Sequence, residues 1–161
     1  MTEEIKIRSL TQDDALWLKN VIDNDWGGNP LVVRTVSYYP HKMAGLVAFQ
    51  GAKRIGVLSY EIRKEICEII VFEVFDKFQG IGTQMLDSLK EIVKKEGCKQ
   101  IYLMTTNDNL DALRFYQKRG FIISGIHIDS VKKSREIKPT IGLTGDYGIP
   151  VRDEIDLTLD L

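Results

Sequence analysis

Cysteine is scarce in this chain. Cys67 and Cys98 are the only two among 161 residues, with neither C-x-x-C spacing nor the density of a disulfide framework, so a reducing compartment and two small core residues are expected. Histidine is equally sparse. His41 and His127 stand far apart with no clustered cysteines or carboxylates at ligand spacing, and no metal site is expected. Uninterrupted apolar stretches such as Ile69-Ile70-Val71-Phe72 fall far short of the ~20 residues a membrane-spanning helix needs. Met1-Thr2-Glu3-Glu4 is acidic where a secretion signal is basic, so no membrane partner and a cytoplasmic location are expected. Neither charge sign dominates: 22 Lys+Arg against 23 Asp+Glu leave a formal charge of -1. Without a cationic field to recruit phosphate backbones, nucleic acid is not an expected partner.

What is present is the composition of an ordinary globule, 43% hydrophobic and 28% charged. A chain of this length buries roughly 70% of its unfolded surface, which favours a single domain over residues 1–161. Ile5 and Ile7 alternate with polar neighbours as a first strand. Thr11 with Asp14 resembles an N-cap before the helical pattern Ala15, Leu18 and Ile22, ending near Asn24. Gly27-Gly28-Asn29-Pro30 breaks structure, a strand is possible over 31–36, and Tyr38-Tyr39-Pro40-His41 reads as a loop. Three apolar runs, 46–49, 55–62 and 66–75, are joined by linkers short enough for hairpins and predict an antiparallel meander.

A glycine turn, Gly80-Ile81-Gly82-Thr83, then opens a helix with apolar positions Ile81, Met85, Leu89, Ile92 and Val93, closed by Gly97. A strand from Ile101 to Thr106 follows, which the helix can return parallel to its predecessor. Asn109 caps a short helix through Lys118. Then come a strand at 121–128, a polar helix or turn at 129–138 stopped by Pro139, and a glycine-broken loop to Pro150. Ile155, Leu157, Leu159 and Leu161 alternate with acidic and polar residues as a last strand, one face in the core and one in water. That strand could pair with a second subunit, or its Asp156 and Asp160 could discourage pairing.

The turn at Gly80 removes side chains ahead of a helix, which lets successive backbone N–H groups converge on an anion beside the helix's positive end. Glycine also begins helices for purely conformational reasons. Two other phosphate motifs fail: the Gly-Lys-Ser/Thr of a Walker loop is absent here, and Met85 stands where a Rossmann fingerprint needs a small residue.

Gly80-Ile81-Gly82-Thr83 and the block from Asn109 to Phe121, Asn-x-x-Ala-x-x-x-Tyr closed by Gly-Phe, resemble the GNAT superfamily of acyl-CoA-dependent N-acetyltransferases. The resemblance is strongest over residues 45–128. It implies an α/β (α+β) fold: one GNAT-like domain whose mixed, mostly antiparallel sheet is split between two parallel central strands, with helices on both faces. It also implies acetyl-CoA as cosubstrate, with backbone amides from Phe78 to Thr83 around its pyrophosphate and its pantetheine arm in the split. The coenzyme-binding residues so implied are Val74, Phe75, Lys77, Phe78, Gln79, Gly80, Ile81, Gly82, Thr83, Asn109, Ala112 and Tyr116. Lys77 stands where the family usually has Gln or Arg, and meets a phosphate as a point charge rather than a planar fork.

Acetyl transfer needs a proton for the departing thiolate and a neutral amine. In family terms Tyr116 is the general acid; the alternative is a buried amphipathic helix residue. Glu73 is the candidate base. Strict alternation puts it on a face with Cys67, Ile69, Val71 and Phe75, where desolvation would raise its pKa, whereas a bulge in the strand would turn it to solvent. A water chain could instead remove the proton. The oxyanion is assigned, by resemblance, to a main-chain N–H near Val74. Trp26, Arg34, Tyr38, Tyr39 and His41 precede the meander, where this superfamily often builds the acceptor pocket; equally, they could cover the core beneath a long loop. A small-molecule or peptide amine is the expected acceptor. The competing reading is a non-catalytic acyl-CoA-binding module, which would not require Tyr116.

Overall fold

The computed structural model describes residues 3–76 and 80–161. Its main sheet contains β1 (Ile5–Ser9), β4 (Ala44–Gln50), β5 (Lys53–Arg63), β6 (Ile66–Val74), β7 (Gln100–Thr106), β9 (Glu154–Asp160) and β8 (Ile122–His127), side by side in that order. All neighbours are antiparallel except β6 and β7, which run parallel. The α1 helix (Ala15–Asp25) follows the Thr11–Asp14 capping box, α2 (Ile81–Lys95) follows the glycine turn, α3 (Leu110–Lys118) follows Asn109, and α4 (Val131–Ile137) precedes Pro139. No described helix is long and apolar enough to cross a membrane.

The apolar periodicity seen in sequence becomes two cores, one on each face of the sheet. Ile81, Met85, Leu86, Leu89 and Val93 of α2 and Tyr116 of α3 pack on one face against Leu58, Ile69, Ile101 and Leu157. On the other, Leu18, Val21 and Ile22 of α1 pack on Val57, Ile70 and Val71. Both cysteines are buried core residues, and burial pushes the Cys67 thiol up to about 12, which makes it inert at neutral pH.

Three expectations change. The strand expected over 31–36 is a two-stranded hairpin, β2 (Leu31–Val33) and β3 (Val36–Tyr38), because Arg34 and Thr35 both adopt positive φ and reverse the chain. The last strand, β9, lies between β7 and β8, so neither of its edges is free for a second subunit, and its acidic residues are not a water-facing row. Asp156 instead accepts from the Tyr102 hydroxyl and lies 2.6 Å from His127 Nε2.

The third change concerns β6. Its register with β5 shifts, so that Ser59 faces Val71 while Tyr60 faces Ile69, leaving Ile70 as an extra residue. Ile70 and Val71 consequently both enter the α1-side core, and alternation resumes one step out of phase. Glu73 therefore does not share a face with Cys67 and Ile69. It stands on the α1 side, while Phe72 and Val74 pack toward α2 and α3. The bulge also bends β6 away from β7. Their ladder holds only four registered pairs, from Ile66 with Gln100 to Ile69 with Leu103, and beyond it the two strands part.

Candidate active site

A cavity of about 530 Å³ lies beside the end of β6 where it parts from β7. Phe72, Glu73, Val74 and Asp76 line it from β6 and its end, residues 80–83 from the start of α2, and Asn109, Asp111, Ala112, Arg114, Phe115, Tyr116, Lys118 and Arg119 from α3 and its flanks.

Gly80 takes φ +73°, a left-handed conformation, and among the described residues beyond its chain neighbours no atom lies within 4 Å of where a Cβ would sit; the position needs glycine for its backbone. Among the described residues, the first bond into α2 is Gln84 N–H to the Gly80 carbonyl, and the amides of Ile81, Gly82 and Thr83 belong to the helix's first turn. Gly82 answers a different demand. A Cβ there would stand 3.0 Å from the Phe115 ring, so α2 and α3 meet through this missing side chain.

Phe115 in turn carries the Arg119 guanidinium 3.7 Å from its ring centroid. Arg119 Nε and Nη2 both donate to Thr83 Oγ1, at 2.9 and 2.6 Å, and Nη1 donates to the Phe115 carbonyl. A cation is thus fixed beside the first turn of α2, with Arg114 and Lys118 on the same cavity wall. Glycine-freed amides, a helix N-terminus and a locked guanidinium fit a diphosphate. Sequence reasoning missed all three cations; their signal was the i, i+4, i+5 spacing of Arg114, Lys118 and Arg119 along α3. Lys77, Phe78 and Gln79 lie outside the described residues.

Asn109 caps α3 as expected, its Oδ1 accepting from Ala112 N, while its Nδ2 donates to Thr105 Oγ1 on β7. Tyr116 is only 6% exposed. Its ring lies 5.1 Å from both Phe115 and Phe121 and 6.2 Å from Phe72, and burial pushes its pKa above the ordinary phenol range, so it remains protonated at neutral pH. Glu73 is half-buried, with Trp26 Nε1 donating to its Oε2 at 2.6 Å. The Phe75 amide is committed to the Ile55 carbonyl and its ring meets Trp17 edge-on, which directs this residue away from the cavity.

The five pre-meander residues do not converge. Trp26 reaches Glu73. Arg34 is gripped by Glu68 and Tyr102 at the base of the split, Tyr38 is buried in the α1-side core, and Tyr39 meets His41 edge-on, with His41 beside Leu10 and Thr11. Among the described residues, no group of three His, Cys, Asp or Glu could hold a metal ion.

Residues 14–121 match the Acetyltransferase (GNAT) family. The chain belongs to that family. Over 137 residues it is 36% identical to the uncharacterized protein YxbD of Bacillus subtilis (strain 168), covering 84% of this chain and 86% of that one. An IAA acetyltransferase from Bacillus cereus ATCC 14579 superposes with a TM-score of 0.77 at 27% identity, covering 98% of this chain and all of that one. A GNAT family acetyltransferase from Elizabethkingia anophelis, solved with acetyl-CoA bound, gives 0.71 at 27% identity, with 98% of each chain covered. Acetyl transfer is therefore the class of reaction, with acetyl-CoA or CoA as the coenzyme.

Proposed function

We propose that the chain is an N-acetyltransferase that moves the acetyl group of acetyl-CoA to a primary amine by direct attack in a ternary complex. The observation that carries this reading is that Tyr116 and Glu73 line one cavity from opposite faces of the split sheet. Acetyl-CoA, when bound, supplies the thioester and the thiolate leaving group.

The chain's own residues supply the rest. The amides of Ile81, Gly82 and Thr83 and the Arg119 guanidinium hold the pyrophosphate, and Asn109, tied to Thr105, borders the path of the pantetheine arm. Glu73, or a water it orders, takes the proton the amine loses as the C–N bond forms. The Trp26 indole N–H holds the Glu73 carboxyl by its Oε2, and its ring offers an aromatic wall on the acceptor side. As the C–S bond breaks, Tyr116 hands its phenolic proton to the sulfur. Its burial among Phe72, Phe115 and Phe121 keeps that proton in place until then. Because the base and the acid stand on opposite faces, amine and sulfur are served from two sides without competing for one group.

The test is thiol release from acetyl-CoA across a panel of primary amines, small molecules and peptides with free amino groups. Turnover dependent on an added amine is expected. Tight coenzyme binding with no turnover on any amine would leave the binding-module reading in its place.

A further inference from the structure

We infer that Arg34 is a positioning residue for the coenzyme: it ties β6 to β7 at the last closed rungs of their parallel ladder and so sets where the split begins. The inference rests on the reading above, in which the split receives the pantetheine arm.

Four registered pairs are a short ladder, and the bulge at Ile70 pries at its end. Glu68 and Tyr102 face each other across this ladder, one rung before it opens. Arg34 bonds to both. Its Nη2 donates to Glu68 Oε1 and Oε2 at 2.8 and 2.9 Å, and its Nη1 donates to the Tyr102 hydroxyl at 2.6 Å, with the guanidinium 4.9 Å from that ring's centroid. One rigid planar group thus grips both strands behind the point of separation, something an ammonium on a flexible stem does not reproduce.

The grip is anchored at each end. Tyr102 donates onward to Asp156 Oδ1 on β9, and Asp156 Oδ2 meets His127 on β8, so the tie runs across every strand on the far side of the split. At the near end, Arg34 stands at the tip of the β2–β3 hairpin with φ +49°, followed by Thr35 at +64°. Two consecutive non-glycine residues in the left-handed region are unfavourable in isolation; here they aim the guanidinium between the strands. Glu68 is 7% exposed, and no residue of this tie lines the coenzyme cavity, so the tie acts on the cavity through the backbone of β6 and β7.

The strap is distinguished from mere stability by removing the charge pair as a unit. Arg34→Met leaves a buried carboxylate without its cation; adding Glu68→Gln removes that penalty but does not restore the tie. CoA affinity by calorimetry and Tm are measured on the wild type, on Arg34→Met, on the Arg34→Met/Glu68→Gln double variant and on Tyr102→Phe, which leaves the Arg34–Glu68 pair intact and removes the hydroxyl that joins Arg34 to β7 and to Asp156. The expected result is a double variant that regains the Tm lost by Arg34→Met yet binds CoA about tenfold more weakly, with Tyr102→Phe weaker by roughly fivefold. CoA affinity within about twofold of wild type in the folded variants overturns the strap and leaves the acetyltransferase reading standing. Absence of CoA binding by the wild type overturns both.

Discussion

Replacing Tyr116 by phenylalanine removes one oxygen and leaves the ring where Phe72, Phe115 and Phe121 hold it. The Tyr116 hydroxyl makes no hydrogen bond among the described residues, so its loss orphans no partner, and the cost to folding stays within about 1 kcal/mol. In a chain of this size that is a Tm change of about 2–4 °C. General-acid help is worth about 10²–10⁴ in rate, or roughly 3–5 kcal/mol of barrier. The two magnitudes separate cleanly: kcat for thiol release should fall at least about a hundredfold while Tm and CoA affinity barely move. Stopped assays at saturating acetyl-CoA and amine, paired with calorimetry of CoA binding, give both numbers. A variant whose kcat stays within about threefold of wild type refutes Tyr116 as the acid. Linkage adds a pH signature. Burial raises the folded-state pKa of Tyr116, so its stabilising contribution is fully present below the unfolded value near ~10 and is lost as pH rises through the folded one; Tyr116→Phe should abolish that alkaline decline.

Two further outcomes follow from geometry. Asp14 is 1% exposed and accepts from Arg8, Arg54 and the Thr11 amide, with the Arg8 hydrogen bond foremost in holding its carboxyl well below the usual range. Asp14→Asn should cost about 2–3 kcal/mol, less than a fully buried pair because both arginines reach solvent. Since the lowered pKa contributes stability above the unfolded value near ~3.9 and loses it as pH falls through the folded one, the Tm deficit should shrink below about pH 4; a pH-independent deficit contradicts the assignment. Arg119→Met should weaken CoA binding about tenfold, by calorimetry, with little effect on acetyl-pantetheine, which lacks the diphosphate. Equal weakening of both ligands would place Arg119 outside the phosphate site.

Local signals carried most of the element boundaries. The Thr11–Asp14 box, the glycines at 80, 97 and 120 and the Asn109 cap are chemistry of the chain with its own near neighbours, and the structure keeps each of them. The meander and the parallel return of β7 followed from short linkers and one crossover helix. The hairpin at Arg34–Thr35 escaped notice because its reversing residues are not the glycine or asparagine that usually mark positive φ.

The residue types that make the site, a glycine-opened helix, a capped second helix and a tyrosine one turn from its end, were determined by the sequence alone, since each depends on contacts within a few positions. Which face Glu73 occupies was decided only in three dimensions, because a single extra residue at Ile70 reverses every later side chain and nothing in β6 itself marks it. The same holds for Arg34, Glu68, Tyr102, Asp156 and His127, and for Arg119 on Thr83: their pairings join strands and helices from 29 to 68 positions apart, distances over which periodicity carries no information.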